Sequence, residues 1–143
     1  MIIMSVDLGK ARTGLAICDR GELLAHPLCV IEERYIENLL VKVAEKAKEN
    51  NVQSIVVGLP KNMDGSEGES AQNAREFARR LAEITNLPVD SIDERGTTIT
   101  AHNFLNTTNT RGKKRKAVID AVAATIILEN YLAKRKNKGE LDG

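Results

Sequence analysis

Tryptophan is absent from this chain and aromatic residues make up only 3% of it. A core of 42% hydrophobic residues must therefore be built from Val, Ile, Leu and Ala, which suits a sheet covered by helices. Cysteine is nearly absent too. Cys18 and Cys29 sit in apolar runs without metal-like spacing, so they read as buried free thiols in a reducing compartment. No apolar stretch approaches the roughly 20 residues that span a bilayer. The start, Met1 to Val6, lacks a basic leader and runs straight into Asp7, so it reads as a first strand rather than a signal peptide. A soluble, cytoplasmic protein is expected, with no membrane partner. Net charge is only +1, so any nucleic-acid surface must come from local clustering.

What is present has a clear order. The 143 residues suit one domain, expected over 1–137, with a frayed tail at 138–143. Apolar runs at Ile2–Val6, Gly14–Cys18 and Leu23–Ile31 are too closely spaced for parallel crossovers and predict an antiparallel meander. Ile36, Leu39, Leu40, Val43 and Ala47 give helical spacing across Tyr35–Asn50. Ser54–Leu59 is a continuous apolar strand. A polar loop, Pro60–Glu69, precedes a helix with Ala71, Ala74, Phe77, Ala78, Leu81 and Ile84 turned inward. A fifth strand is expected over Leu87–Ile92, ending at Asp93-Glu94-Arg95. A short helix from Thr97 or Thr98 to Leu105 and a long one from about Lys114 to Lys136 complete the chain. The order β-β-β-α-β-α-β-α-α predicts an α/β fold with a mixed five-stranded sheet covered by helices.

Three acids interrupt apolar patterns, where an unpaired charge is costly. Asp7 closes the first strand, as a turn aspartate or a functional group; Gly9 and Gly14 would allow close approach by another chain. Asp93 and Glu94 end the fifth strand; adjacent strand residues face opposite ways, so only one can join Asp7, and register leaves open which. Asp120 lies in the apolar run Ala117 to Ala124, either inside the helix or as its N-cap. Three distant acids with no His or Cys to accompany them form an oxygen-donor set, suited to Mg²⁺ or Mn²⁺ rather than zinc. Magnesium keeps several waters, so the ion need not be bound without substrate. The chemistry that fits is phosphodiester hydrolysis.

Basic residues gather at Arg111, Lys113, Lys114, Arg115 and Lys116. This run opens the last helix, where the macrodipole disfavours positive charge and an anionic partner would offset that. Arg12 and Arg95 flank two of the acids, as ion-pair partners or phosphate clamps. Asn62, Asp64, Gly65 and Gly68 sit on the loop after the fourth strand, which lacks the G-K-[ST] ending of a nucleotide P-loop. His26 and His102 read as surface residues.

Four segments resemble one family. Asp7-Leu8-Gly9-Lys10-Ala11-Arg12-Thr13-Gly14-Leu15-Ala16 has the D-x-G-x-x-R-x-G-x-A pattern of the YqgF proteins, also called RuvX and provisionally named Holliday junction resolvases. Val57 to Gly65 resembles their V-G-L-P-x-N-x-D-G element, Asp93 to Thr98 their D-E-R-x-T-T, and Asp120 to Ala124 their D-x-x-A-A helix. The resemblance covers residues 2 to about 132. It implies a ribonuclease H-like fold with Asp7, Glu94 and Asp120 as catalytic metal ligands. It also implies maturation of the ends of small-subunit ribosomal RNA precursors, favoured over junction resolution. Choosing Glu94 over Asp93 rests on this pattern. Gly96 stands where the family often has leucine, a departure that leaves the acids in place.

Two rivals stand beside this reading. D-x-G near a first hairpin also opens sugar-kinase and actin-like ATPases, but those need two copies of the fold. A non-catalytic nucleic-acid-binding module could use the basic run alone, yet gives Asp120 no purpose. Whether the protein is a monomer or a homodimer is open.

Overall fold

A computed structural model describes residues 1–60, 68–93 and 112–142, the side chains of 112–120 and 138–142 excepted. The strands are β1 (Ile3–Asp7), β2 (Arg12–Cys18), β3 (Ala25–Glu32), β4 (Ser54–Leu59) and β5 (Val89–Asp93); the helices are α1 (Ile36–Glu49), α2 (Glu69–Thr85) and α3 (Gly112–Asp142). The strands form one sheet in the order β3-β2-β1-β4-β5. β1, β2 and β3 pair antiparallel, and β4 and β5 run parallel to β1. The meander and the mixed five-stranded sheet are as the spacing of apolar runs predicts. The short helix expected over 97–105 lies outside the described residues.

Most boundaries fall within a residue or two of expectation, β2 starting at Arg12 rather than Gly14; three differences have a visible cause or consequence. β3 begins at Ala25, leaving Leu23 and Leu24 in the turn at 80% and 70% exposure. The Asp19 carboxylate accepts both their N–H groups, at 2.8 and 3.2 Å, and Glu22 takes a left-handed φ of 57°. The local turn thus captures backbone that hydrophobicity assigned to a strand. β5 spans Val89–Asp93 rather than Leu87–Ile92, since Asn86 closes α2 at φ 58°, its N–H bonding Ala82 O at 3.0 Å. α3 starts at Gly112 and continues to Asp142, past the expected end at Lys136.

The sheet separates two apolar layers. Met4, Val6, Ile55 and Val57 pack with α1 and α2 through Leu39, Leu40, Val43, Phe77 and Leu81. Ile3, Ala16, Val56 and Ile92 pack with α3 through Ala124, Ile127, Leu128 and Leu132. Alternation along each strand produces the division. Ile36 and Ile84, expected to turn inward, are 41% and 49% exposed; each lies at a helix end. Cys18 is buried and Cys29 half-buried, both free, and burial pushes both thiols up.

Two polar contacts fix how α3 lies. The buried Ser5 hydroxyl donates to the Ala124 carbonyl at 2.6 Å. Arg135 Nε donates to Glu22 Oε1 at 2.7 Å, and the Met1 ammonium reaches Glu22 Oε2 at 3.1 Å. About 16 Å of helix separate Arg135 from Ala124, and about 13 Å of strand separate Met1 from Ser5. α3 therefore runs antiparallel to β1, with its amino end at the carboxyl end of the strand.

Ser5→Ala should remove about 1 kcal/mol, lowering Tm by about 3 °C in a thermal melt. Arg135 and the amino terminus hold the Glu22 carboxyl below the usual glutamate range. Their stabilisation is complete above that range and is lost as pH falls through the lowered folded value. Glu22→Gln should flatten this acid limb when stability is measured against pH; an unchanged limb would refute the assignment.

Candidate active site

The carboxyl end of β1 positions the first acid. Ile3 faces α3 and Ser5 bonds it, so Asp7, the next residue on that alternation, belongs to the α3 face, half-buried and opposite Gly14 of β2. The hairpin that follows is tight. A Cβ on Gly9 would stand 2.0 Å from the Arg12 carbonyl oxygen, so no larger residue fits without moving backbone. The Gly9 N–H also points to the buried Thr13 Oγ1 at 3.4 Å. Arg12 lies directly across from Glu32, with Nε 3.6 Å from Oε1 and Glu32 77% exposed. Such an exposed pair is weak, so the guanidinium can exchange its partner.

Strand register separates the two acids of β5. Ile92 packs toward α3, and Asp90 Oδ2 accepts the Tyr131 hydroxyl of that helix at 3.1 Å. Asp93 follows Ile92 and so lies on the opposite face, with α1 and α2. Asp93 is thus on the wrong side of the sheet to share a site with Asp7. Glu94, and with it Arg95, Asn62, Asp64 and Arg111, falls outside the described residues.

The last helix answers the question about Asp120. Because α3 begins at Gly112, position 120 is two turns inside it and is not an N-cap. It precedes Ala124 by one turn. From the Ser5–Ala124 bond, Asp7 lies about 7 Å along the strand and position 120 about 6 Å along the antiparallel helix. The two backbones thus come level at the same end of the sheet. Lys113, Lys114, Arg115 and Lys116 occupy the first turns of α3, further toward that end.

Among the described residues no three His, Cys, Asp or Glu side chains gather into a metal-binding group; the Asp120 carboxylate and all of Glu94 lie outside that set. Asp7 is a hard oxygen donor, half-exposed at a strand end, and neither free cysteine shares its position: Cys18 ends β2 opposite Ala25, at the far end from Asp7, and Cys29, level with Val6, packs on the opposite face with α1 and α2. Such a donor fits Mg²⁺ or Mn²⁺.

The RuvX family, described as Holliday junction resolvase, matches residues 1–134. This chain belongs to the RuvX family. A protein of Anaeromyxobacter sp. strain Fw109-5, provisionally named a pre-16S rRNA nuclease, is 42% identical over 132 residues, covering 92% of this chain and 96% of its own. The fold resembles RuvC of Thermus thermophilus, with a TM-score of 0.58 at 16% identity over 96% of this chain and 97% of that one. It also resembles the fowlpox virus Holliday junction resolvase, with a TM-score of 0.56 at 15% identity over 94% and 99% of the two chains. The α/β, ribonuclease H-like architecture expected from sequence is the one these neighbours share.

The Tyr131–Asp90 contact escaped sequence reasoning, since it needs strand and helix to be placed first. Within RuvX proteins of this hairpin geometry, Gly9→Ala should cost at least about 2 kcal/mol by displacing the Arg12 backbone. Chemical denaturation followed by circular dichroism checks it; wild-type stability would show that the loop has slack.

Proposed function

We propose that this RuvX chain, a nuclease by family, is metal-dependent and acts in the cytoplasm on structured nucleic acid, maturing the ends of small-subunit ribosomal RNA precursors. The name carried by its close relative supports that substrate. The observation that carries the active site is the levelling of Asp7 with position 120, fixed by the Ser5–Ala124 hydrogen bond.

In this proposal Asp7, Glu94 and Asp120 hold Mg²⁺ or Mn²⁺. When bound, the metal supplies Lewis-acid polarisation of the phosphodiester and neutralises charge on the leaving oxygen. The protein's own contribution is positional. Asp7 is fixed by a strand paired on both sides, by β2 and β4. Glu94 follows Asp93 in sequence, so continued alternation supports its joining Asp7 rather than facing α1 and α2. Asp120 is carried on a helix locked to β1. Lys113, Lys114, Arg115 and Lys116, with Arg111 just before them, hold the anionic backbone where helix geometry would otherwise disfavour cations. Arg12 and Arg95 clamp flanking phosphates, and Asn62 contacts the strand from the loop after β4.

A second reading, cleavage of four-way DNA junctions, is supported by the family description. It requires two symmetric cuts and therefore a two-fold dimer, whereas end maturation requires only one active site.

Asp7→Asn, Glu94→Gln and Asp120→Asn should each reduce cleavage of precursor ribosomal RNA by about a thousandfold or more while binding persists. Asp93→Asn should stay within about threefold of wild type. Chelation should abolish cleavage and Mg²⁺ or Mn²⁺ restore it. Running a four-way junction alongside the RNA decides between the substrates, and full activity in Asp7→Asn would end the proposal.

A further inference from the structure

The described aromatic residues have three different fates. Phe77 is buried in the core at 1% exposure, and Tyr131 is tied to Asp90. Tyr35 is 73% exposed, with no side-chain partner among the described residues. One exposed ring is ordinary by itself; the neighbours of Tyr35 are what give it a use.

Tyr35 precedes α1 beside the hairpin that follows Asp7. The Glu33 N–H bonds the Ala11 carbonyl at 3.0 Å, tying the connection before α1 to that hairpin. Two clefts meet there. One, of about 360 Å³, is lined by Ala11, Arg12, Arg34 and Tyr35. The other, of about 510 Å³, is lined by Gly9, Lys10, Arg34 and Asn73. Arg34 lines both, so the two are continuous around it.

The charges there are unbalanced. Glu33 is occupied by Lys42 at 2.8 Å, Glu76 of the larger cleft is occupied by Arg79, and Glu32 faces Arg12 at 3.6 Å. Arg80, which also borders the larger cleft, is occupied by Glu37. Lys10 and Arg34 are exposed and have no ion-pair partner among the described residues. An exposed ring beside unpaired cations is the arrangement that holds unpaired nucleotides, the ring stacking a base and the cations tracking the backbone. A duplex hides its base faces, so only single-stranded nucleic acid can use the ring. The larger cleft lies between α1 and α2, on the face of the sheet opposite Asp7, so a strand joining the two passes around the β1–β2 hairpin. Asp7 and β3 are two strands apart, which puts Tyr35 on the order of 15 Å from Asp7, a span of a few nucleotides.

We infer that Tyr35, Lys10 and Arg34 form a subsite for the unpaired strand flanking the cut, with a base stacked on Tyr35 and phosphates on the two cations. The inference rests on the nuclease reading above and specifies the form of substrate it acts on: a single-stranded segment leading to the scissile bond.

The absence of tryptophan makes this directly measurable. Tyr35→Trp introduces a lone tryptophan at the subsite, excited apart from the remaining Tyr131. In an Asp7→Asn background, which prevents cutting, single-stranded oligouridylate should quench its fluorescence saturably, and blunt duplex RNA of equal length should not. In anisotropy titrations with the same oligouridylate, Tyr35→Ala should raise Kd about tenfold, and Tyr35→Phe, which keeps the ring, should stay within about twofold of wild type. The Lys10→Ala/Arg34→Ala double variant should lower the slope of log Kd against log salt by about 1.4. Absence of quenching, equal quenching by duplex, or an unchanged Kd in Tyr35→Ala overturns the subsite. These outcomes separate from the catalytic proposal: an active Asp7→Asn protein refutes that one alone, whereas an inactive Asp7→Asn protein without quenching refutes only the stacking site.

Discussion

The docking of one helix against the first strand is the constraint on which the rest depends. Ser5 is a polar residue completely buried in an apolar layer, and its hydroxyl must find an acceptor or leave a desolvated group unsatisfied. It finds the Ala124 carbonyl. Ala16 and Ala124 are fully buried nearby, and their small side chains let helix and sheet approach closely enough for that bond. At the far end, Arg135, Glu22 and the chain amino group fix the direction. With both contacts in place, the helix cannot slide by a turn without breaking one, so the level of position 120 relative to Asp7 follows.

The sheet distributes function by the same alternation that builds its core. One set of strand residues packs on α1 and α2, the other on α3. Asp7 inherits the α3 face from Ser5, and Asp93 inherits the opposite face from the residue after Ile92. Asp7 and Asp93, both at carboxyl ends of strands, thus have different surroundings for a reason that is purely geometric. The parallel pairing of β1, β4 and β5 brings their carboxyl ends to one edge, where loops can carry groups that a packed interior would exclude.

Nucleic-acid cleavage needs the substrate held as well as attacked. With a net charge of +1, this protein cannot hold a polyanion by bulk attraction. Its positive charge is instead local: a basic run at the start of α3 and unpaired cations beside the β1–β2 hairpin. Several other described cations are neutralised in pairs, as with Arg80 and Glu37 or Arg79 with Glu76 and Glu83. Such pairs contribute little stability, but they keep their charge from competing for an anion.

Much of this was legible in the residues themselves. Runs of β-branched residues at Ile2–Val6 and Ser54–Leu59 and the helical spacing of Leu39, Leu40, Val43 and Ala47 set element type, because burial periodicity is a local property. Short spacing between the first runs forced an antiparallel meander, and the acid within the apolar run around Asp120 marked that position as a candidate. The sequence by itself could not end β3 correctly, since Asp19 captures the amides of Leu23 and Leu24 through a side-chain turn that hydropathy does not register. Nor could it say which face of the sheet Asp93 takes, or tell an interior Asp120 from a cap. Those distinctions depend on which strand a segment pairs with, in which register, and where a distant helix makes its contact. They are set by contacts between residues far apart in the chain, such as Ser5 with Ala124, and only the tertiary structure decides them.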